Sequence, residues 1–170
     1  MIISSYKVVE VIKISPKTSD YSIDGSPDIV VYSIRLAYIG DDLSETPTNI
    51  TEKLTCFIDS KAPKVGDVIY GRSSSTLEPP TANKKLPTAT ITGVEIAADE
   101  KHPNRIEKLY SVKTDLLKKS FTVYGDSEGA NIPYIGQKIN LWLSICDDGD
   151  VEVSADEFPE PFDEYTELIK

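Results

Sequence analysis

Three blocks of sequence occur twice in this chain, in the same order. Val9-Glu10-Val11-Ile12 is matched by Val94-Glu95-Ile96-Ala97, and Tyr32-Ser33-Ile34-Arg35 by Tyr110-Ser111-Val112-Lys113. The third block is longer: residues 54–60 and then 63–69 are matched by 121–127 and then 133–139. Length differences between the copies fall in turn-like stretches. A recurrence of this kind reads as an internal duplication. It confines the fold to two small units of about 70 residues each.

The vocabulary within each copy is that of strands. Short apolar stretches rich in Val, Ile, Tyr and Thr are bounded by Pro, Gly, Asp and Ser, the pattern of strands joined by turns. Strands are predicted at 6–15, 29–39, 53–59, 67–72, 88–97, 109–114, 120–124, 138–145 and 151–153. Residues 106–119 fit a helical stripe about as well as a strand; the match to the second block favours strand followed by turn. The chain is therefore expected to be all-β, as two small barrels at 1–72 and 88–153, because closure removes the exposed edges of a small sheet. Between them, 73–87 contains Ser73-Ser74-Ser75, Pro79-Pro80, Lys84-Lys85 and Pro87, a composition that neither packs nor pairs well and reads as a linker. Excursions are expected at 16–28 and 99–105. In the repeated Pro-x-[Val/Ile]-Gly segment, Gly66 and Gly136 suit a turn needing positive φ just before a strand.

The first copy resembles a known family. The strand Asp28-Ile29-Val30-Val31-Tyr32-Ser33-Ile34-Arg35-Leu36, a polar loop and then Pro63-Lys64-Val65-Gly66-Asp67-Val68-Ile69 are similar to the amino-terminal OB-type barrel of tailed-phage baseplate hub and spike proteins. The likeness covers roughly 6–72 and, more faintly, 90–143. The family's Leu-Pro-Trp segment ahead of the turn and its lysozyme or β-helical spike region have no counterpart here. The resemblance implies two tandem OB-like barrels in a non-enzymatic structural protein of a virion tail or baseplate hub. It would be assembled in the host cytoplasm, with other tail proteins and copies of itself as partners.

Charge is unevenly placed. The chain carries a formal −10, but 147–170 alone holds ten acids against the single base Lys170, leaving the body close to neutral. A neutral body has no general attraction for nucleic acid or anionic lipid. The segment 154–170 is an acidic aromatic tail in which Phe158, Phe162, Tyr165 and Leu168 punctuate the acids, as in tails that dock on basic, apolar-grooved partners. These four residues, with Lys84 and Lys85, are the expected partner contacts.

Catalytic and metal-binding patterns are sparse. His102 is the single histidine, beside Pro103 in a polar stretch expected to be an exposed loop. Cys56 and Cys146 have no CxxC partner and sit within strand patterns, so buried packing is their expected job. With no secretory signal pattern at the amino terminus and no apolar run near the ~18 residues of a membrane span, the chain reads as intracellular with free thiols. Asp147-Asp148-Gly149-Asp150 misses EF-hand spacing and reads as a turn. No enzyme activity, cofactor or metal is expected.

An alternative remains open. Tyr32, Arg35 and Tyr38 in one copy, and Tyr110 and Lys113 in the other, interleave aromatics with cations as OB-folds do when holding single-stranded nucleic acid. The chain would then be a single-stranded-DNA-binding protein whose tail recruits partners. A small adaptor of β-sandwich architecture is a third possibility.

Overall fold

The computed structural model describes residues 3–39, 49–72, 76–77, 82–104, 107–125, 131–146 and 148–158. These residues form strands and turns and contain no helix. The strands are β1 (Ile3–Lys17), β2 (Ile29–Tyr38), β3 (Asn49–Phe57), β4 (Val68–Arg72), β5 (Thr76–Leu77), β6 (Asn83–Lys85), β7 (Ala89–Ala97), β8 (Leu109–Thr114), β9 (Phe121–Tyr124), β10 (Lys138–Ile139), β11 (Leu141–Ile145) and β12 (Val151–Ala155). Every predicted stretch carries strand, but 138–145, expected as one strand, is broken at Asn140 into β10 and β11, which join different sheets; 109–114 is a strand followed by bends, in keeping with the repeat.

The chain divides into two compact units, Met1–Lys84 with Ile145–Glu152, and Lys85–Ser144 with Val153–Lys170. It passes from one unit to the other three times along its length, at 84/85, 144/145 and 152/153.

The first unit is built on a curled antiparallel sheet, a half-barrel, with strand order β3-β2-β1-β4-β5. Its core alternates with the pleat: Val30, Tyr32, Ile34 and Leu36 of β2 point inward onto Val8, Leu54, Cys56 and Ile69. β1 carries bulges after Val8 and after Val11; extra residues of this kind sharpen twist and let a long strand curl. The excursion that follows is stitched at its base, where Ser19 donates both its N–H and its hydroxyl to the Asp28 carboxylate.

The second unit repeats the plan. Its sheet has the order β10-β7-β8-β9, so that read from the other edge β9-β8-β7-β10 follows β3-β2-β1-β4. Its core includes Ile91, Tyr110, Val112, Phe121, Val123 and Ile139. β7 has a bulge after Ile91, as β1 has after Val8. A third sheet has the order β12-β11-β6.

Register places the repeated blocks in correspondence, with two corrections. Arg35 pairs across its bulge with Glu10, and Lys113 across its bulge with Gly93, so the Tyr-Ser-[Ile/Val]-[Arg/Lys] blocks align as read from sequence. Ile34 pairs with Val11 and Val112 with Val94, so Val94 corresponds to Val11 rather than to Val9. Tyr32 pairs with Leu54 and Tyr110 with Val123, so Leu54 corresponds to Val123 rather than to Phe121. Both slips are of two residues, which keeps every side chain on its own face.

The described parts of 73–87 include strands that its composition does not suggest. Thr76–Leu77 pairs with β4, Asn83–Lys85 is a strand, and Leu86 is buried. Lys84 secures one end: its ammonium lies 3.0 Å from the Asp59 carboxylate and 6.0 Å from the Phe57 ring. The segment 154–170 likewise begins inside a strand, since β12 runs to Ala155. Just beyond it, the Glu157 carboxylate accepts from the Asn140 N–H at 3.0 Å and from the Asn140 side-chain amide at 3.0 Å.

Candidate interaction surfaces

The register of the first sheet fixes which side chains share its outer face. On β2, Ser33 is flanked by Lys13 on β1 and Lys53 on β3, Arg35 by Glu10 and Thr51, and Val31 by Ser15 and Thr55. Directly paired residues share a face. Because Tyr32, Ile34 and Leu36 between them point into the core, these three rows lie outside. Strands sit about 4.8 Å apart, so the backbones carrying Lys13 and Lys53 are roughly 10 Å apart with the Ser33 hydroxyl between them.

Lys13, Lys53 and Arg35 are all exposed. Arg35 Nη1 lies 2.8 Å from the Glu10 carboxylate, with the two side chains 46% and 50% exposed. Lys13 and Lys53 make no ion pair among the described residues. The corresponding rows of the second sheet differ: Ser111 is flanked by Glu95 and Thr122, and Lys113 faces Gly93, which offers no side chain to pair with. A paired set of lysines is thus particular to the first sheet.

The repeated turns form a second kind of surface. Gly66 and Gly136 adopt φ of +96° and +92°. Lys64 donates its N–H to the Asp67 carboxylate at 2.8 Å, and Tyr134 donates its N–H to the Gln137 side-chain oxygen at 3.3 Å. Pro63 and Pro133 are buried, while Val65 and Ile135 stand out at 67% and 68% exposure. Each copy therefore projects one β-branched side chain from the same place. Beside the first turn, a shallow hollow of about 220 Å³ lies between Lys61–Pro63 and Asp67–Ile69.

The residues singled out from sequence divide sharply. Tyr32 and Tyr110 are 7% and 8% exposed and belong to the cores, so neither presents a ring to a base. Arg35 and Lys113 are exposed. Tyrosine and cation are three residues apart on one strand, which puts them on opposite faces. Tyr38 is half-buried, with its ring edge-on to Tyr6 at 5.6 Å between centroids.

Of the tail residues, Phe158 is 6% exposed, and its N–H donates to the Ala155 carbonyl at 3.2 Å. Its ring is packed within the protein rather than held out for a partner. Phe162, Tyr165 and Leu168 lie outside the described residues. Lys85 is engaged locally, its ammonium 5.9 Å from the Trp142 ring. Sequence reasoning passed over Lys13, Ser33 and Lys53; the alternation of strands β1 to β3 marks them as outward, but only register brings them into one row.

The remaining titratable groups have structural settings. Burial pushes the Cys56 thiol up to about 11 and raises the Tyr32 phenol. Partial burial, helped by a hydrogen bond with Glu152, pushes the Cys146 thiol up to about 11. Asp59 is held below the usual carboxylate range by the hydrogen bond from Lys84. His102 is half-buried in the loop after β7, where its backbone N–H donates to Asp99 at 3.0 Å, and the Tyr124 hydroxyl donates to the other oxygen of the same carboxylate at 2.7 Å. Among the described residues no group of three or more His, Cys, Asp and Glu side chains is placed to hold a metal ion. No protein-family model, curated protein or solved structure matches the chain.

Proposed function

We propose that the chain is a non-enzymatic structural protein of a phage virion, a tail or baseplate hub component that binds protein partners, including copies of itself. Each half is read as an OB-like barrel unit and the acidic tail as a contact to a neighbour. The observation that carries the reading is the repetition of one unit: the same strand order, the same bulge after Val8 and Ile91, and the same glycine turn with an exposed Val65 or Ile135 at its tip. A chain that offers one contact geometry twice doubles the number of similar sites in a ring, which suits a join between assemblies of different rotational symmetry. The resemblance of 6–72 to baseplate hub barrels names the setting.

The burial of Tyr32 and Tyr110 favours this reading over single-stranded-DNA binding, since stacking on exposed aromatics supplies much of the affinity in the latter. The test is light scattering of the purified chain at two salt concentrations, with and without a fluorescent single-stranded oligonucleotide. A discrete oligomer indifferent to the oligonucleotide is expected. A monomer whose oligonucleotide binding weakens steeply with salt would replace this reading with the nucleic-acid one.

A further inference from the structure

The outer face of the first sheet is cationic in a chain of net charge −10. In the rows through Ser33 and Arg35, Lys13, Lys53 and Arg35 stand against one acid, Glu10, which is already committed to Arg35, while the row through Val31 ends at Thr55, against which the Asp148-Gly149-Asp150 turn packs. Lys13 and Lys53 stand in one row on either side of Ser33, their backbones about 10 Å apart, so that both ammonium groups can engage a single anionic segment laid across the row.

We propose that this face, centred on Lys13, Ser33 and Lys53, is the docking site for the acidic tail segment 160–170 of a second copy of the chain. This rests on the assembly reading above. Complementarity of charge argues for the occupant: 160–170 carries Glu160, Asp163, Glu164 and Glu167 against Lys170 alone. An extended segment would turn Glu160, Phe162 and Glu164 to one side, the two acids about 13 Å apart and within reach of the flexible lysines, with the Phe162 ring between them on the lysine stems. Nucleic acid fits less well, because the three rows contain no aromatic side chain on which a base would stack. A tail on one copy meeting a sheet face on the next is a heterologous contact, the kind that closes into a ring or runs on as a filament.

The experiment uses the full chain, with sedimentation velocity over a range of concentrations and circular dichroism as a control on folding. A face variant, Lys13→Glu with Lys53→Glu, and a tail variant, Glu160→Lys with Glu164→Lys and Glu167→Lys, are each expected to weaken self-association by roughly tenfold or more. Mixing the two is expected to restore it, since each then offers the other a complementary surface. The milder Lys13→Ser with Lys53→Ser tests the same face without introducing acid. Association unchanged in folded face variants would overturn the docking site while leaving the assembly reading in place. A wild-type chain that stays monomeric at every concentration would remove both. If the face variant instead loses binding to a single-stranded oligonucleotide, the lysine row serves nucleic acid and the tail proposal falls.

Discussion

Gly66 donates its backbone N–H to the carbonyl of Val8 at 2.8 Å, and Val8 in turn donates its N–H to the carbonyl of Asp67 at 2.8 Å. Gly136, Ile91 and Gln137 make the same two bonds at the same distances. The turn is therefore clamped to the first strand of its unit, just where that strand bulges, and each copy uses the same joint to set the angle at which its fourth strand, β4 or β10, enters the sheet.

Both joints depend on a backbone that side chains disfavour. A Cβ at Gly66 or Gly136 would meet nothing within 4 Å, so alanine would be penalised by conformation alone. Gly66→Ala and Gly136→Ala are each expected to cost about 1–2 kcal/mol in urea denaturation. A cost near zero at either would mean that the turn relaxes to negative φ.

The side chain that closes each turn is a separate contribution. Asp67→Ala removes a charged acceptor at 2.8 Å and is expected to cost about 1 kcal/mol, whereas Gln137→Ala removes a longer, neutral bond and is expected to cost less. Thermal unfolding of the two variants ranks them; the reverse order would contradict the geometry.

Tyr124 is 8% exposed, and its hydroxyl meets Asp99 at 2.7 Å. Tyr124→Phe deletes that bond while keeping the ring, with an expected loss of about 1.5 kcal/mol, in the range for hydrogen bonds to charged groups. The loop at 99–104 should then exchange its amide hydrogens faster, and protection that stays unchanged would show that the bond does not hold the loop.

Cys56 ties stability to alkaline pH. Its thiol is raised in the folded chain to about 11 from 9.0, so the neutral form is retained by folding. The stability it supports is complete below pH 9 and declines as pH rises toward 11, with a slope approaching ~1.4 kcal/mol per pH unit. Comparing the wild type with Cys56→Ala in denaturant titrations isolates this component, and identical pH slopes would exclude it.

Phe158 separates packing from partner contact. Truncating a buried phenylalanine to alanine typically costs about 3–5 kcal/mol. Phe158→Ala is expected to destabilise the chain on that scale at any concentration, whereas a side chain held out for a partner would leave unfolding unchanged and alter only association.

Strand positions were legible in the sequence because turn residues punctuate every apolar stretch, and 106–119 was settled by its likeness to the second block. The two-residue slips of the Val9 and Leu54 alignments were not legible, since a shift by one full pleat leaves the inward and outward pattern intact. Bulges hide for the opposite reason: the extra residue after Val8 or Ile91 looks like a lapse in alternation until its partner strand is known. The grouping of Tyr32 with Arg35 failed on parity, which the sequence does contain, while the lysine row fails to show because Lys13, Ser33 and Lys53 are brought together only by pairing across three strands. Thr76–Leu77 and Asn83–Lys85 were missed because two- and three-residue strands carry no periodicity.

The division of the chain bears on how it is made. The first unit includes Ile145–Glu152, so a ribosome has released only part of it when residue 84 emerges. The missing strand material arrives after the whole of 85–144 has been translated. At roughly 5–20 residues per second the five-stranded sheet, complete by residue 77, waits some seconds for the segment that completes its unit. The first unit is finished only after most of the second has been made, and a chain stalled between residues 84 and 145 would present the first unit to the degradation machinery of the cell without that segment.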